Sequence, residues 1–482
     1  MNTLTELVVG SIIDGKEIRG NGRSTQEVQN PYNGEVIGKI ECATKEDVEH
    51  AINTAESVFH ETMKKMPAYQ RSDILRKTAD LLEVQAEEFI RILALEAGKP
   101  IREGRIEVDR AIQVLRFASE GAKNIYGEQI PLDSAIGGEN QIGISKRYPV
   151  GVVVAITPFN FPLNLVLHKI APALAAGNTV VLKPAEKTPL TVAMFYKLLE
   201  KAGLPKGALN IVMGPGSELG EFLITDSRVK KITFTGSGPV GWKIKEMAGT
   251  KKVTLELGSN APNIIFNDAN LDDCIPSLIK GGFTFAGQAC VSVQRLYVQR
   301  DIFPLLVKRL VEETGKLQVG DPLESSTVIG PLISESEAIR AEAWIQEAVE
   351  QGAKVVIGGK RKNTLMEPTI LVDVNHQMRV VCQEVFAPIM TVIPFDTEEE
   401  VINFANDSDY GLQAGVFTQD ISRALRLADV LETGGVWINQ TSLMRYDHIP
   451  YGGVKLSGTG KEGVKYAIED MTELKFIGIN LK

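Results

Sequence analysis

Gly151-Val152-Val153-Val154-Ala155-Ile156-Thr157 is an apolar run, rich in β-branched residues, that stops at Pro158. A run this short and this uniformly apolar reads as a strand covered on both faces. Four more such runs follow, at Thr179 to Lys183, Ala208 to Met213, Lys231 to Thr235 and Lys252 to Leu257, with helical segments between them. Strands alternating with helices at this spacing predict a parallel, doubly wound α/β sheet whose ligands sit beyond the C-terminal strand ends.

Upstream, Thr44 and Asp47 have the spacing of a capping box, and Val48, Ala51, Ile52, Ala55 and Phe59 then recur at helical intervals. Helical periodicity returns over Tyr69 to Leu82, Ala86 to Ala97 and Glu103 to Ala122. The first 40 residues read as short strands and turns, namely Thr25 to Asn30, a turn at Asn33-Gly34, and Val36-Ile37. Between Glu128 and Arg147, the residues Pro131, Gly137-Gly138, Ile142 and Ile144 suggest a projecting hairpin of the kind that meets another chain. Downstream, helices at Asp301 to Leu317 and Ser334 to Gln351, with strands at Lys354 to Ile357, Thr369 to Leu371 and Ile389 to Phe395, predict a second α/β lobe starting near Gly258.

At 482 residues the chain exceeds one ordinary core, which favours two large lobes and a smaller element. A net charge of −9 without any basic block argues against nucleic-acid binding. Cys42, Cys274, Cys290 and Cys382 form no CxxC pair, so neither a metal nor a disulfide framework is expected and a reducing cytosol fits best. The N-terminus carries Glu6 and Asp14 with no basic leader, and the most apolar run, Val150 to Ile156, is far short of the ~20 residues of a membrane span. A cytoplasmic protein without a membrane anchor is the expectation.

The strand ends carry the chemistry. Asn160 lies in Pro158-Phe159-Asn160-Phe161-Pro162, a stiff loop from which its amide could donate to an oxyanion, although an Asx turn would also explain it. Glu186 follows Leu182-Lys183-Pro184-Ala185, where a carboxylate in a dinucleotide site would accept both ribose hydroxyls; a solvated helix start is the alternative. Gly236-Ser237-Gly238-Pro239-Val240-Gly241 matches G-x-G-x-x-G between a strand and a helix, a cradle for a pyrophosphate. The same rule would hand the ribose to Glu256, but Glu256 ends the fifth strand and Glu186 already offers that carboxylate. In the second lobe Cys290 follows Gly287-Gln288-Ala289, a step with little bulk beside the thiol; an inert buried cysteine is the plainer reading of that residue alone.

Taken together, Asn160 in PFNFP, Lys183 and Glu186 in KPAE, FTGS at 234 to 237, Glu256 in LELG, Cys290 in GQAC and Glu384-Val385-Phe386-Ala387-Pro388 resemble the aldehyde dehydrogenase superfamily, in order and over nearly the whole chain. The resemblance implies that Cys290 attacks the aldehyde, that Asn160 and the Cys290 N–H hold the oxyanion, and that Glu256 activates the water that hydrolyses the thioester. It implies a small-molecule aldehyde substrate and NAD, with NADP left open because some relatives bearing this acid accept it. It places the dinucleotide against Ile156, Thr157, Pro158, Phe159, Lys183, Ala185, Glu186, Gly216, Gly220, Phe234, Thr235, Gly236, Ser237, Val240, Leu257, Glu384 and Phe386. It divides the chain into a cofactor domain (1–121 and 148–257), an oligomerisation ribbon (122–147), a catalytic domain (258–440) and a segment 441–482. That last segment would carry the substrate loop, return to the cofactor domain and end on an oligomerisation strand, Glu473 to Ile479, for a homodimer or homotetramer. Two departures stand out: Ser259 where many members have glycine after Leu-Gly, and Ala289 where several relatives acting on phosphorylated aldehydes carry arginine.

By the same alignment Arg110, His168 and Arg445 face the substrate, three potential cations that suggest a short aldehyde with an anionic tail. 3-Sulfolactaldehyde, glyceraldehyde 3-phosphate, phosphonoacetaldehyde and succinic semialdehyde all qualify. The alternative is that Arg110 and Arg445 form ordinary ion pairs, for instance with Asp447. The loop Arg445 to Gly453 also resembles members acting on lactaldehyde, so a neutral short hydroxyaldehyde is the second candidate. A non-enzymatic, crystallin-like role would be expected to cost the chain one of Cys290, Asn160 or Glu256, and all three are present. A coenzyme A-acylating enzyme would usually lack Glu256.

Overall fold

The computed structural model describes residues 7–20 and 22–481; Glu6 lies outside them. Two twisted sheets carry the fold. In the first, the five predicted strands are Val152–Ile156, Thr179–Lys183, Leu209–Ile211, Val229–Thr235 and Lys252–Glu256. They pair in parallel, numbered in chain order, as 3-2-1-4-5. The order reverses between Val152–Ile156 and Val229–Thr235, which opens a crevice at their C-terminal ends. Antiparallel strands extend both edges: Ser11–Ile13 and Lys16–Ile18 on one side, Gly458–Thr459 on the other.

The period-2 alternation explains why this sheet needs helices on both faces. Val153 and Ala155 pack into a core shared with the helices Ala68–Val84, Ala86–Ala97, Ile101–Ala122 and Asn164–Ala176. Val152 and Val154 point the other way, against Lys45–Glu61, Gly216–Thr225 and Gly238–Met247. The Thr44 capping box is present, with Thr44 Oγ1 accepting from Asp47 N and the Asp47 carboxylate accepting from Thr44 N.

The second sheet has seven strands in the order Lys354–Ile357, Thr369–Val372, Ile389–Phe395, Arg295–Gln299, Pro262–Ile265, Gln413–Phe417 and Gly435–Ile438, all parallel except the first pair. Its central strands Pro262–Ile265, Arg295–Gln299 and Gln413–Phe417 escaped the sequence reading. Each is only four or five residues long and carries polar residues, such as Asn263, Arg295 and Gln413, which are buried here by specific partners. The predicted hairpin is a third sheet, in which Gln141–Pro149 pairs with Gln129–Ile130 on one edge and with the C-terminal strand Thr472–Asn480 on the other, all antiparallel. Among the described residues no helix is long and apolar enough to cross a membrane.

Candidate active site

Helix Leu271–Phe283 delivers the chain into a turn where Phe285, Ala286 and Gly287 have φ of 47°, 54° and 70°. Left-handed backbone at two non-glycine residues costs on the order of 1–3 kcal/mol each and persists only where the surroundings enforce it. Gly287 has no substitute, since a Cβ there would lie 2.2 Å from the Ala387 carbonyl oxygen. Lys99 enforces the rest: its Nζ sits 3.7 Å from the Phe161 ring centroid and 4.5 Å from that of Phe285. Gln288 locks the exit, its Nε2 donating to the Phe285 and Pro331 carbonyls and its Oε1 accepting from Ile333 N. Cys290 therefore emerges from a rigid turn.

The Asn160 loop is tied to the same framework. Buried Lys99 is ion-paired with buried Glu107 and donates to the Asn160 carbonyl at 2.7 Å. Glu107 Oε1 accepts from Leu163 N at 2.9 Å and Asn164 N at 3.1 Å, so one carboxylate caps helix Asn164–Ala176 and holds the lysine. Asn160 Nδ2 spends one hydrogen on the Gln288 carbonyl at 3.0 Å, which joins the two loops directly. Its second hydrogen is free for another acceptor.

Cys290, Asn160 and Glu256 line one cavity of about 780 Å³. Burial pushes the Cys290 thiol up to about 12, with Glu384 and Glu256 adding to the rise and the Tyr451 hydroxyl, 3.2 Å from Sγ, opposing it. Glu256 is 3% exposed and neither carboxyl oxygen has a partner among the described residues. Its pKa is raised well above the ordinary value, first by burial and then by Glu462, which favours the protonated form. A nucleophile, an amide donor and a dry, unpartnered carboxyl around one space can add a thiol to a carbonyl and later activate water.

The cavity runs into the crevice of the first sheet, where Pro158, Phe159, Thr235, Gly236, Ser237, Leu257, Glu384 and Phe386 line it. Ser237 is the N-cap of Gly238–Met247 but makes no capping bond, leaving that helix N-terminus open to an anion. Thr157 Oγ1, Thr235 Oγ1 and Trp242 Nε1 are buried without partners among the described residues, which fits polar groups that would meet a dinucleotide. Burial raises Glu384 to about 7, against a bond from Ser259 N at 3.0 Å. Farther along the same strand ends, Glu186 Oε1 accepts from Gly216 N at 2.7 Å and lies 3.6 Å from Lys183 Nζ. Ile156 and Ala185 are half-buried beside them, Gly220 lies on Gly216–Thr225, and Phe234 is buried beneath Gly236. Val240 is 49% exposed on the outer side of its helix.

The three proposed substrate cations do not converge. His168 is a correction: its side chain is fully buried in Asn164–Ala176, its Nε2 is 2.8 Å from Asp447 Oδ1, and it does not line the cavity. Burial, reinforced by Arg445, lowers its pKa, so it is neutral. Arg110 lines the cavity, but its Nε and Nη2 grip the two oxygens of Asp447 at 3.2 and 2.6 Å, which cancels its charge. Arg445 pairs with Glu462 rather than Asp447, at 2.8 Å. Lys169 Nζ takes the other Glu462 oxygen at 2.7 Å, so two buried cations share one carboxylate. Against the burial that would raise it, Lys169 and Arg445 hold Glu462 well below the usual carboxylate range. Arg445 Nε is buried and has no acceptor among the described residues.

Sequence reasoning missed Tyr451, Glu462, Lys169, Lys99 and Glu107. Lys169 had a signal, a lysine inside the apolar run Leu165 to Ala171. Lys99 and Glu107 had none, because their partners come from distant loops.

Residues 18–477 match the profile of the aldehyde dehydrogenase family. The 3-sulfolactaldehyde dehydrogenase of Priestia aryabhattai is 49% identical over 470 residues, 97% of this chain and 98% of that one. The lactaldehyde dehydrogenase of Methanocaldococcus jannaschii is 43% identical over 97% of this chain and 99% of that one. Among solved structures, aldehyde dehydrogenase 21 of Physcomitrella patens, in complex with the reaction product succinate, superposes with a TM-score of 0.96 at 40% identity, covering 99% of each chain. Glyceraldehyde-3-phosphate dehydrogenase GapN of Methanocaldococcus jannaschii, complexed with NADP, gives 0.92 at 42% identity over 96% of this chain and 100% of that one. The chain belongs to the aldehyde dehydrogenase family, and is an NAD(P)-dependent oxidoreductase acting on an aldehyde group.

Proposed function

We propose that this enzyme oxidises a short anionic aldehyde to the carboxylic acid through a thioester on Cys290, with NAD as the preferred cofactor. The observation that carries the anionic reading is Arg445: a buried guanidinium in the cavity wall with its Nε unpartnered, sharing Glu462 with Lys169. One positive charge is left over in a dry wall, where a charge-assisted bond to a substrate anion is strongest. The 3-sulfolactaldehyde relative, the succinate complex and the glyceraldehyde-3-phosphate neighbour all involve short molecules with an anionic group.

Cys290 gives up its proton to solvent and its sulfur adds to the carbonyl carbon, while the free Asn160 hydrogen and the Cys290 N–H donate to the oxyanion. A nicotinamide dinucleotide held in the crevice by Pro158, Phe159, Thr235, Ser237, Leu257, Glu384 and Phe386 would supply the hydride acceptor. Glu256, its proton released to solvent, takes one from the attacking water as the oxygen adds to the thioester carbon; collapse of the adduct breaks the C–S bond, and the departing Cys290 sulfur takes that proton from Glu256 as the acid leaves. Glu186 and Lys183 hold the adenosine ribose, the end of Gly238–Met247 the pyrophosphate, and Glu384 with Phe386 the second ribose. In this reading the first sheet with its helices is the cofactor domain and the second carries the nucleophile.

Leu474, Phe476 and Ile479 on the C-terminal strand, the outer strand of its sheet among the described residues, are 54%, 54% and 44% exposed, which supports assembly into a dimer or tetramer there. The four free cysteines are in keeping with the cytoplasm. The test of the substrate is Arg445→Met. Its kcat/KM for 3-sulfolactaldehyde or succinic semialdehyde should fall by about 10- to 100-fold relative to that for a neutral aldehyde. Equal losses would make the arginine structural. Lactaldehyde would then be the better substrate, a second reading favoured by the Arg110–Asp447 neutralisation and the lactaldehyde relative.

A further inference from the structure

We infer that Tyr451 makes this enzyme selective for 2-hydroxyaldehydes, its phenol binding the hydroxyl on the carbon next to the aldehyde. The inference rests on Cys290 being the nucleophile. The Tyr451 side chain is 3% exposed and its OH lies 3.2 Å from Cys290 Sγ, its one hydrogen-bond partner among the described residues. Its position is fixed from several sides. Reciprocal backbone bonds join Tyr451 to Glu462, the Arg445 guanidinium lies 3.7 Å from its ring centroid, and Val291 and Leu412 pack beside it.

A fixed, buried phenol faces a problem when the sulfur reacts. Once Sγ is bonded to the aldehyde carbon its acceptor strength is largely gone, and the buried hydroxyl loses the one side-chain partner it has among the described residues. A substituent on the next carbon is three bonds from the sulfur, so it occupies the shell around Sγ in which the phenol oxygen already sits. A hydroxyl there replaces the lost bond, whereas a hydrogen leaves Tyr451 orphaned. The other polar groups facing the thiol have work of their own: Asn160 serves the oxyanion, Glu256 the water and Arg445 the tail. Sites built to bond a substrate hydroxyl discriminate strongly against analogues that lack it. Among the anionic candidates this separates 3-sulfolactaldehyde and glyceraldehyde 3-phosphate from phosphonoacetaldehyde and succinic semialdehyde.

The test crosses the two features of the substrate. 3-Sulfolactaldehyde is compared with 3-sulfopropanal, and lactaldehyde with propanal, with NADH formation as readout for wild type and Tyr451→Phe. In wild type the hydroxylated member of each pair should lead in kcat/KM by about 10- to 100-fold. Tyr451→Phe should bring both ratios towards one, and because the readout is a ratio, any general effect on the thiol cancels. Equal rates within each pair for wild type overturn the inference, as does a preference that survives in Tyr451→Phe or an absence of turnover with all four. The wild-type comparison needs no variant, so a misfolded substitution does not shelter the claim. Failure of the anionic reading looks different: lactaldehyde would then lead propanal while the sulfonated pair lags both.

Discussion

Asn160 Nδ2 donates to the Gln288 carbonyl at 3.0 Å, and this bond ties the loop after the first central strand to the turn that presents Cys290. Two lobes thus meet in one hydrogen bond between a proposed oxyanion donor and the nucleophile's own turn. Behind it, Lys99 holds Asn160 by its carbonyl, Glu107 by its carboxylate, and Phe161 and Phe285 by their rings.

Lys99→Leu should therefore cost far more than a surface lysine. It strands the Glu107 charge in the core, and removal of one partner from a buried pair costs about 3–5 kcal/mol. Denaturant unfolding measures this, and the double variant with Glu107→Leu should recover part of the loss. A change below 1 kcal/mol would mean that the pair holds little.

Cys290→Ala should abolish oxidation and leave NAD binding intact, while alanine at Cys42, Cys274 or Cys382 leaves turnover in place. Because burial raises the thiol to about 12 from 9.0, the thiolate is a small minority at pH 8 in the free protein. Iodoacetamide should label Cys290 more slowly than a cysteine peptide does at that pH, with the rate climbing as pH rises. Faster labelling than the peptide would show a thiol already activated.

Glu256→Gln should release one NADH per site and then stall, with an acyl adduct on Cys290 visible by intact mass. Burial and Glu462 raise the Glu256 pKa, so the acid limb of deacylation in wild type should lie above the ordinary carboxylate range. Glu462→Gln removes the neighbouring negative charge and frees Lys169 and Arg445, both of which lower that pKa. The limb should move to lower pH; a move upward would remove Glu462 from the coupling.

Glu186→Gln should raise the kcat/KM ratio of NADP to NAD by about tenfold or more, since a carboxylate repels a 2′-phosphate that an amide tolerates. An unchanged ratio would take Glu186 off the ribose.

The first sheet was legible because its strands are short apolar runs alternating with helices, whereas its 3-2-1-4-5 order comes from the structure alone. The second sheet was half-hidden, because Asn263, Arg295 and Gln413 look like loop residues until their bonds to Ser442, Asn260 and Trp437 are seen. At the site, motif residues could be named from the sequence, whereas charge balance could not. Arg110 and Arg445 look alike on paper, and only Asp447 against Arg110, with Lys169 competing for Glu462, shows that one is neutralised and the other keeps a free donor. His168 misled for the same reason: an imidazole reads as a potential cation, and full burial makes it neutral.

The most direct measurement is a competition. Wild-type enzyme and NAD are given 3-sulfolactaldehyde and lactaldehyde at equal, sub-saturating concentrations, and the two carboxylic acids are quantified. The substrates share the aldehyde and the 2-hydroxyl and differ only in the anionic tail. A product ratio of about tenfold or more in favour of the sulfonate is expected from one charge-assisted contact to Arg445; equal yields, or an excess of lactate, would contradict the anionic reading.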